Sequence, residues 1–423
     1  LSDIPLFFAV RQAFDRPRVE DLAVSVRGEL EKVLPPRSVA AGARIGVTVG
    51  SRGIRDIAAV VKAAVDLVKS RGARPFVLPA MGSHGGATAE GQRQLIAHYG
   101  VTEEAMGCPV RAAMETRSLG RTASGVEVRM AEAAWDSDGV VLVNRVKPHT
   151  DYKGPLESGL VKICAIGLGK YDGAREIHRH LFTLGLGQAI REVAEAQVAT
   201  GRVLGGLAIL ENAYHETAKV VGVPAGALFE REEELLVEAR GLMGRLPLDD
   251  IDVLVCDRLG KNISGTGLDT NIVGRSIYGY TPGQPWCDGM PRILRIAVMD
   301  LSDESDGNAV GMGLVDFVPG RFMRRVDHEV TRLNALTSCS PAGAKTPVVL
   351  RDDREAILAA IGTARLRPEG PRIVYIRDTL ALQDVLVSEA CRAPVAGREG
   401  IEIVSGPAPL RFDARGRLLS PFA

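Results

Sequence analysis

A chain of 423 residues is too long for one ordinary core, so two domains of about 150–250 residues each are expected. With 46% hydrophobic and 25% charged residues, the composition is globular rather than disordered. Lys+Arg and Asp+Glu balance at 52 each, which excludes a global basic field for nucleic acid or for an anionic membrane surface. An anionic ligand therefore has to be held by local groups.

The opening stretch, LSDIPLFFAVRQAFDRP, has one short apolar piece bracketed by Asp3, Arg11 and Asp15 and does not read as a signal peptide. Apolar runs elsewhere fall short of the roughly 18 residues that a membrane span needs, so no membrane partner and a cytoplasmic location are expected. Aromatic residues make up 4%, too few for base-stacking platforms. Cys108, Cys164, Cys256, Cys287, Cys339 and Cys391 are scattered singly, as reduced thiols would be.

From residue 43 onward, β-type runs alternate with helical patterns: ARIGVTVG, DIAAVVKAAVDLVKSRG, ARPFVLPAMG, AEGQRQLIAHYG. That alternation signals parallel α/β layering. The first helix puts Ile57, Val60, Val61, Ala64, Val65 and Val68 on one face, and Gly72 marks its stop. GVVLV and RVLGGLAILEN continue the strand theme, and REEELLVEARGLMGRLP follows as a charged helix. A fresh strand, IDVLVCDRLG, then opens a second α/β unit that runs through RILRIAVMDL, PVVL and PRIVYIRDT. The expected fold is α/β, with two α/β domains of mainly parallel sheets and the active site in the cleft between them. The N-terminal domain is expected over 1–247 and the C-terminal domain over 248–423, with about the last 15 residues packing back on the first.

In open parallel sheets, ligands sit beyond the carboxyl ends of the strands. Four loops qualify: GSRGIRD, MGSHGGAT, NRVKPHTDYKGPLESGLVKICAIGLGK and LGKNISGTGLDTN. His84, His149 and His178 lie in or near them, and histidine can exchange a proton near neutral pH or bind a transition metal. Arg52 and Lys261 belong to the same loops. His178 and His180, if helical, point about 200° apart and cannot share an ion; His98, His215 and His328 read as structural or solvent-facing. Lys147, Lys153 and Lys170 read as solvated or phosphate-neutralising, whereas Lys162, inside the apolar SGLVKICAIG, should lose solvation and gain nucleophilicity.

Taken in order, Arg52 in GSRGIRD, His84 in GSHGGAT, His149 in KPHT, Lys162 and His178 resemble the nickel-dependent lactate racemase family, most strongly over residues 45–180. The resemblance implies an isomerase that inverts C2 of a 2-hydroxy acid by proton-coupled hydride transfer to and from a nickel-pincer nucleotide, a pyridinium mononucleotide with two thiocarboxyl arms around the metal. It implies that Lys162 joins one arm covalently and that His178 ligates nickel. His84 and His149 become the acid/base pair. Arg52 becomes a holder of substrate carboxylate or cofactor. Cofactor-biosynthesis proteins are implied as maturation partners. The family's aspartate and His-Thr before Arg-Pro are replaced here by Val49, Gly50 and Ser51 before Arg52, and its second-domain Tyr-Gln stretch by LDTNIVGRS. Val273 and Gly274 offer no polar side chain there, leaving Arg275 or Lys261 to bind an anion. These departures point away from simple lactate toward a larger polar hydroxy acid, such as a sugar acid. Two other readings stand beside this one: a non-catalytic nucleotide- or metal-binding homologue, and a zinc-dependent hydrolase.

Overall fold

A computed structural model describes residues 3–51, 53–278 and 290–422. Its strands, in chain order, are β1 (Phe7–Gln12), β2 (Arg44–Val49), β3 (Arg74–Pro79), β4 (Thr116–Arg121), β5 (Glu127–Ala131), β6 (Gly139–Arg145), β7 (Val203–Glu211) and β8 (Thr217–Pro224). They continue as β9 (Asp250–Leu259), β10 (Arg292–Leu301), β11 (Phe317–Pro319), β12 (Val348–Leu350), β13 (Ile373–Ile376), β14 (Asp384–Ser388) and β15 (Ile401–Ala408).

The chain divides into two compact units, Arg16–Met243 and Leu1–Asp15 with Gly244–Ala423. The first contains a five-stranded sheet in the order β3-β2-β6-β7-β8, parallel except for the β7–β8 pair. Helices cover both faces of such a sheet, so its strands are buried on both sides and read as continuous apolar runs. In β6, Val140 and Leu142 join one core and Val141 and Val143 the other; β7 divides in the same way, with Ala208 and Leu210 against Leu207 and Ile209. The helix Ile57–Ser70 seals one face with the six residues its periodicity names, plus Leu67, and Gly72 follows at φ 77°. β4 and β5 form a separate antiparallel ribbon.

The second unit has an eight-stranded sheet, β12-β11-β10-β9-β13-β14-β1-β15. Its first five strands are parallel, and β14, β1 and β15 extend it antiparallel. The α/β class with mainly parallel pairing is as expected. The placement of the termini differs. Leu1–Asp15 groups with the C-terminal unit because β1 inserts between β14 and β15, a pairing of distant segments that periodicity does not register. The division falls after Met243, four residues before Pro247. The final residues pack on the core of the C-terminal unit, where Leu418 is buried and Phe412 and Phe422 lie against it, the Phe422 ring 5.0 Å from that of Tyr375. Among the described residues, no helix is long and apolar enough to cross a membrane.

Candidate functional site

Because β3, β2 and β6 are adjacent and parallel, the loops that leave them emerge at one edge of the sheet. The loop after β6 is closed by a backbone pair between Lys147 and Ser158, at 3.0 and 3.2 Å. At its centre lies Glu157, whose side chain is 0% exposed. Its carboxylate accepts from the backbone N–H of His149 at 2.5 Å and of Gly154 at 3.2 Å, and from the Arg240 guanidinium at 2.7 Å. Lys153 Nζ donates to the His149 carbonyl at 2.6 Å, and the Tyr152 ring lies 4.5 Å from the imidazole. His149 is thus held from several directions while keeping 9% exposure.

His149 Nδ1 accepts from the backbone N–H of Asp151 at 2.9 Å, so in the neutral ring Nε2 carries the proton. That Nε2 meets Lys162 Nζ.

Lys162 closes the helical turn Leu160–Lys162, and the π-helical segment Ile163–Leu168 follows. π-Turns often occur at functional sites. A straight helix would carry residue 178 about 24 Å from residue 162 at 1.5 Å per residue. Here the helix Gly169–Arg179 breaks at Lys170, with φ 53° and ψ −154°. The chain folds back, and both Ile166 and Ala174 approach Gly82, where a Cβ would lie 2.8 Å from that of Ala174. His178 consequently feels Lys162. Burial foremost, and then the Lys162 charge, push its imidazole below the usual value, against the Ala174 carbonyl and Asp151. Its Nδ1 lies 2.6 Å from the Ala174 carbonyl oxygen; donation there leaves Nε2 as a lone-pair donor, as in histidines that bind metals.

His84 stands on the loop after β3, half-buried, just before the short turn Gly85–Ala87. Arg52 lies outside the described residues. Lys261, at the carboxyl end of β9 in the other unit, donates Nζ to the Gly265 carbonyl and its backbone N–H to Ser305 Oγ at 2.8 Å. Arg275 is turned the opposite way. Its fork binds Asp316 at 2.7 Å and the carbonyls of Leu314 and Leu294 at 2.6 and 3.1 Å, toward the amino-terminal half of β10. It therefore serves as a brace in this structure, away from the strand ends where ligands collect.

Three buried groups escaped the sequence reading. Glu157 is described above. Lys170 is not solvated but 0% exposed. Glu232, 1% exposed, accepts from the backbone N–H groups of Leu160 and, at 3.0 Å, Val161, and so caps the helix that presents Lys162. Periodicity carried a signal for one of them, since Glu232 sits in the inward stripe of Leu228, Leu235, Leu236 and Ala239. Lys170 is buried where its helix breaks, outside any helical period.

Burial raises the Glu232 carboxyl to about 8, against the two backbone hydrogen bonds. A carboxyl raised on folding contributes stability that is complete below its unfolded value near 4.5 and lost as pH rises through about 8. Glu232→Gln keeps the shape and the acceptor without the ionisation. Relative to wild type, its unfolding free energy should rise between pH 5 and pH 9 in urea titrations; a difference independent of pH would remove this assignment.

Among the described residues, no group of three His, Cys, Asp or Glu side chains is placed to hold a metal ion. A family described as a domain of unknown function, DUF362, matches residues 54–229. No curated protein matches the chain. Among solved structures, the lactate racemase apoprotein from Thermoanaerobacterium thermosaccharolyticum is 13% identical over 89% of this chain and 99% of its own, with a TM-score of 0.48. A Thermotoga maritima protein solved as a structural genomics target is also 13% identical, over 82% of this chain and 84% of its own, with a TM-score of 0.48.

Proposed function

We propose that the chain is an isomerase, a racemase or epimerase that inverts C2 of a 2-hydroxy acid using a nickel-pincer nucleotide joined to Lys162. The observation that carries the reading is the Lys162 amine, in contact with His149 and within electrostatic reach of His178 through a helix that reverses between them.

The residues fit such a group. Lys162 offers a half-buried amine beside an imidazole that can take or return its proton, and His178 Nε2 is left as a donor for the metal. One protein ligand suffices where the remaining soft donors belong to the group itself, whereas a zinc hydrolase needs three from the protein. When bound, the group supplies the acceptor and donor of a hydride.

The chain supplies proton handling and orientation. Loss of a hydride from C2 and of the hydroxyl proton gives a planar 2-keto acid, and inversion returns both from the opposite side, so the oxygen's proton has to be taken on one side and given back on the other. His149 serves one and His84 the other. Their strands, β6 and β3, flank β2, so the loops start about 10 Å apart at two interstrand spacings, enough to admit a small acid between them. Arg52 is the proposed holder of its carboxylate. The substrate class is a 2-hydroxy acid larger and more polar than lactate, and the producing cell's cofactor-assembly proteins are the expected partners. To test this, protein from a cell that makes the nucleotide is incubated with single enantiomers of a series of 2-hydroxy acids. The opposite C2 configuration should appear on chiral chromatography. Nickel-loaded protein that leaves every member unchanged would refute the reading.

A further inference from the structure

Lys170 has no part in the roles assigned above, yet it combines two unfavourable features. Its side chain is fully buried, which is rare for lysine. Its backbone lies at φ 53°, ψ −154°, a region that is strained for any residue but glycine. Replacing buried charged groups by apolar ones of similar volume is often neutral or stabilising, so packing alone does not account for an amine here.

Its contacts supply a reason. Nζ donates to the Pro79 carbonyl at 2.5 Å and to Gln92 Oε1 at 3.1 Å. Burial lowers the amine to about 8, opposed by Glu115, so it still carries its proton at neutral pH, and Pro79 and Gln92 accept two of its N–H groups in place of water. Gln92, itself buried, directs its amide to the carbonyls of Met81 at 3.0 Å and Gly82 at 3.1 Å. Pro79 ends β3, and Gly82 stands two residues before His84. One amine, placed at the helix reversal, therefore grips both ends of the Pro79–Gly82 segment, while Gly82 packs directly on Ala174, four residues before His178.

We propose that Lys170 is a positioning residue whose buried amine, through Pro79 and Gln92, fixes the His84 loop against the reversed helix that carries His178. The proposal rests on the reading that His84 and His178 serve one site.

Lys170→Met and Gln92→Leu break the strut from opposite ends, so that one remains informative if the other does not fold. In cofactor-bearing protein, the Lys162 adduct should persist in both. For the hydroxy acid that wild type inverts, kcat should fall about 100-fold with KM little changed, because displacement of a catalytic group by about 1 Å has that effect. Unchanged kcat in a folded, adduct-bearing variant overturns the proposal. A second readout does not depend on the reaction: the rate of carbethoxylation of His84 in cofactor-free protein, followed by peptide mass spectrometry. A severalfold change in folded variants supports the strut even if wild type carries no adduct and inverts nothing, an outcome that would remove the proposed function alone. An unchanged rate in both variants overturns the strut.

Discussion

Replacing His149 with alanine should lower C2 inversion by about 10³-fold, within the range that a positioned acid/base contributes, while leaving the Lys162 adduct in place. The imidazole is held by its own backbone at Glu157 and Lys153 and reads out through Nε2, so its removal takes away proton transfer without dismantling the loop. His84→Ala should cause a loss of similar size, since inversion in either direction needs a group on both faces. Chiral chromatography of the product and intact-protein mass spectrometry on the same preparation separate the two effects. An alanine variant at either position that retains near wild-type turnover would remove that residue from the pair.

The second large effect is expected at Glu157, which touches no substrate in this account. Its carboxylate is fully buried and accepts from two backbone N–H groups and from Arg240. Glu157→Ala leaves these donors without an acceptor. At about 1–3 kcal/mol for each buried group left unsatisfied, a loss of about 3 kcal/mol is expected, tempered by the partly exposed Arg240. Urea denaturation should show the midpoint falling. Because His149 N–H is one of the orphaned donors, turnover should fall as well, and more than in Glu157→Gln, which retains an acceptor. A midpoint equal to wild type would show that the loop is held by other contacts.

The sequence was most informative where the period of burial is simple. Alternation within GVVLV assigns Val140 and Leu142 to one core and Val141 and Val143 to the other, and the 3.6-residue period of the helix Ile57–Ser70 names nearly all of its inner face. It was least informative where distant segments pair. Nothing local in FFAVRQ specifies insertion between β14 and β15, because the partners lie almost 400 residues away. Likewise Arg275 looked available for an anion until the fold placed Asp316 and three carbonyls around its fork. In the candidate site, types and order were legible: Pro-His after a strand, and a lysine in an apolar run. The reversal at Lys170 was not, since a left-handed lysine leaves no compositional trace. Glu232 and Lys170 were concealed by the assumption that charged residues face water, although Glu232 occupies an inward helical position and Lys170 is buried where its helix breaks.

Peptide mapping of protein from a cofactor-producing cell tests most directly whether Lys162 anchors a nickel-bearing nucleotide. One added mass confined to the peptide containing Lys162 is expected, together with nickel in the intact protein and the loss of both in Lys162→Arg. Protein that inverts a 2-hydroxy acid while this lysine stays unmodified would contradict it.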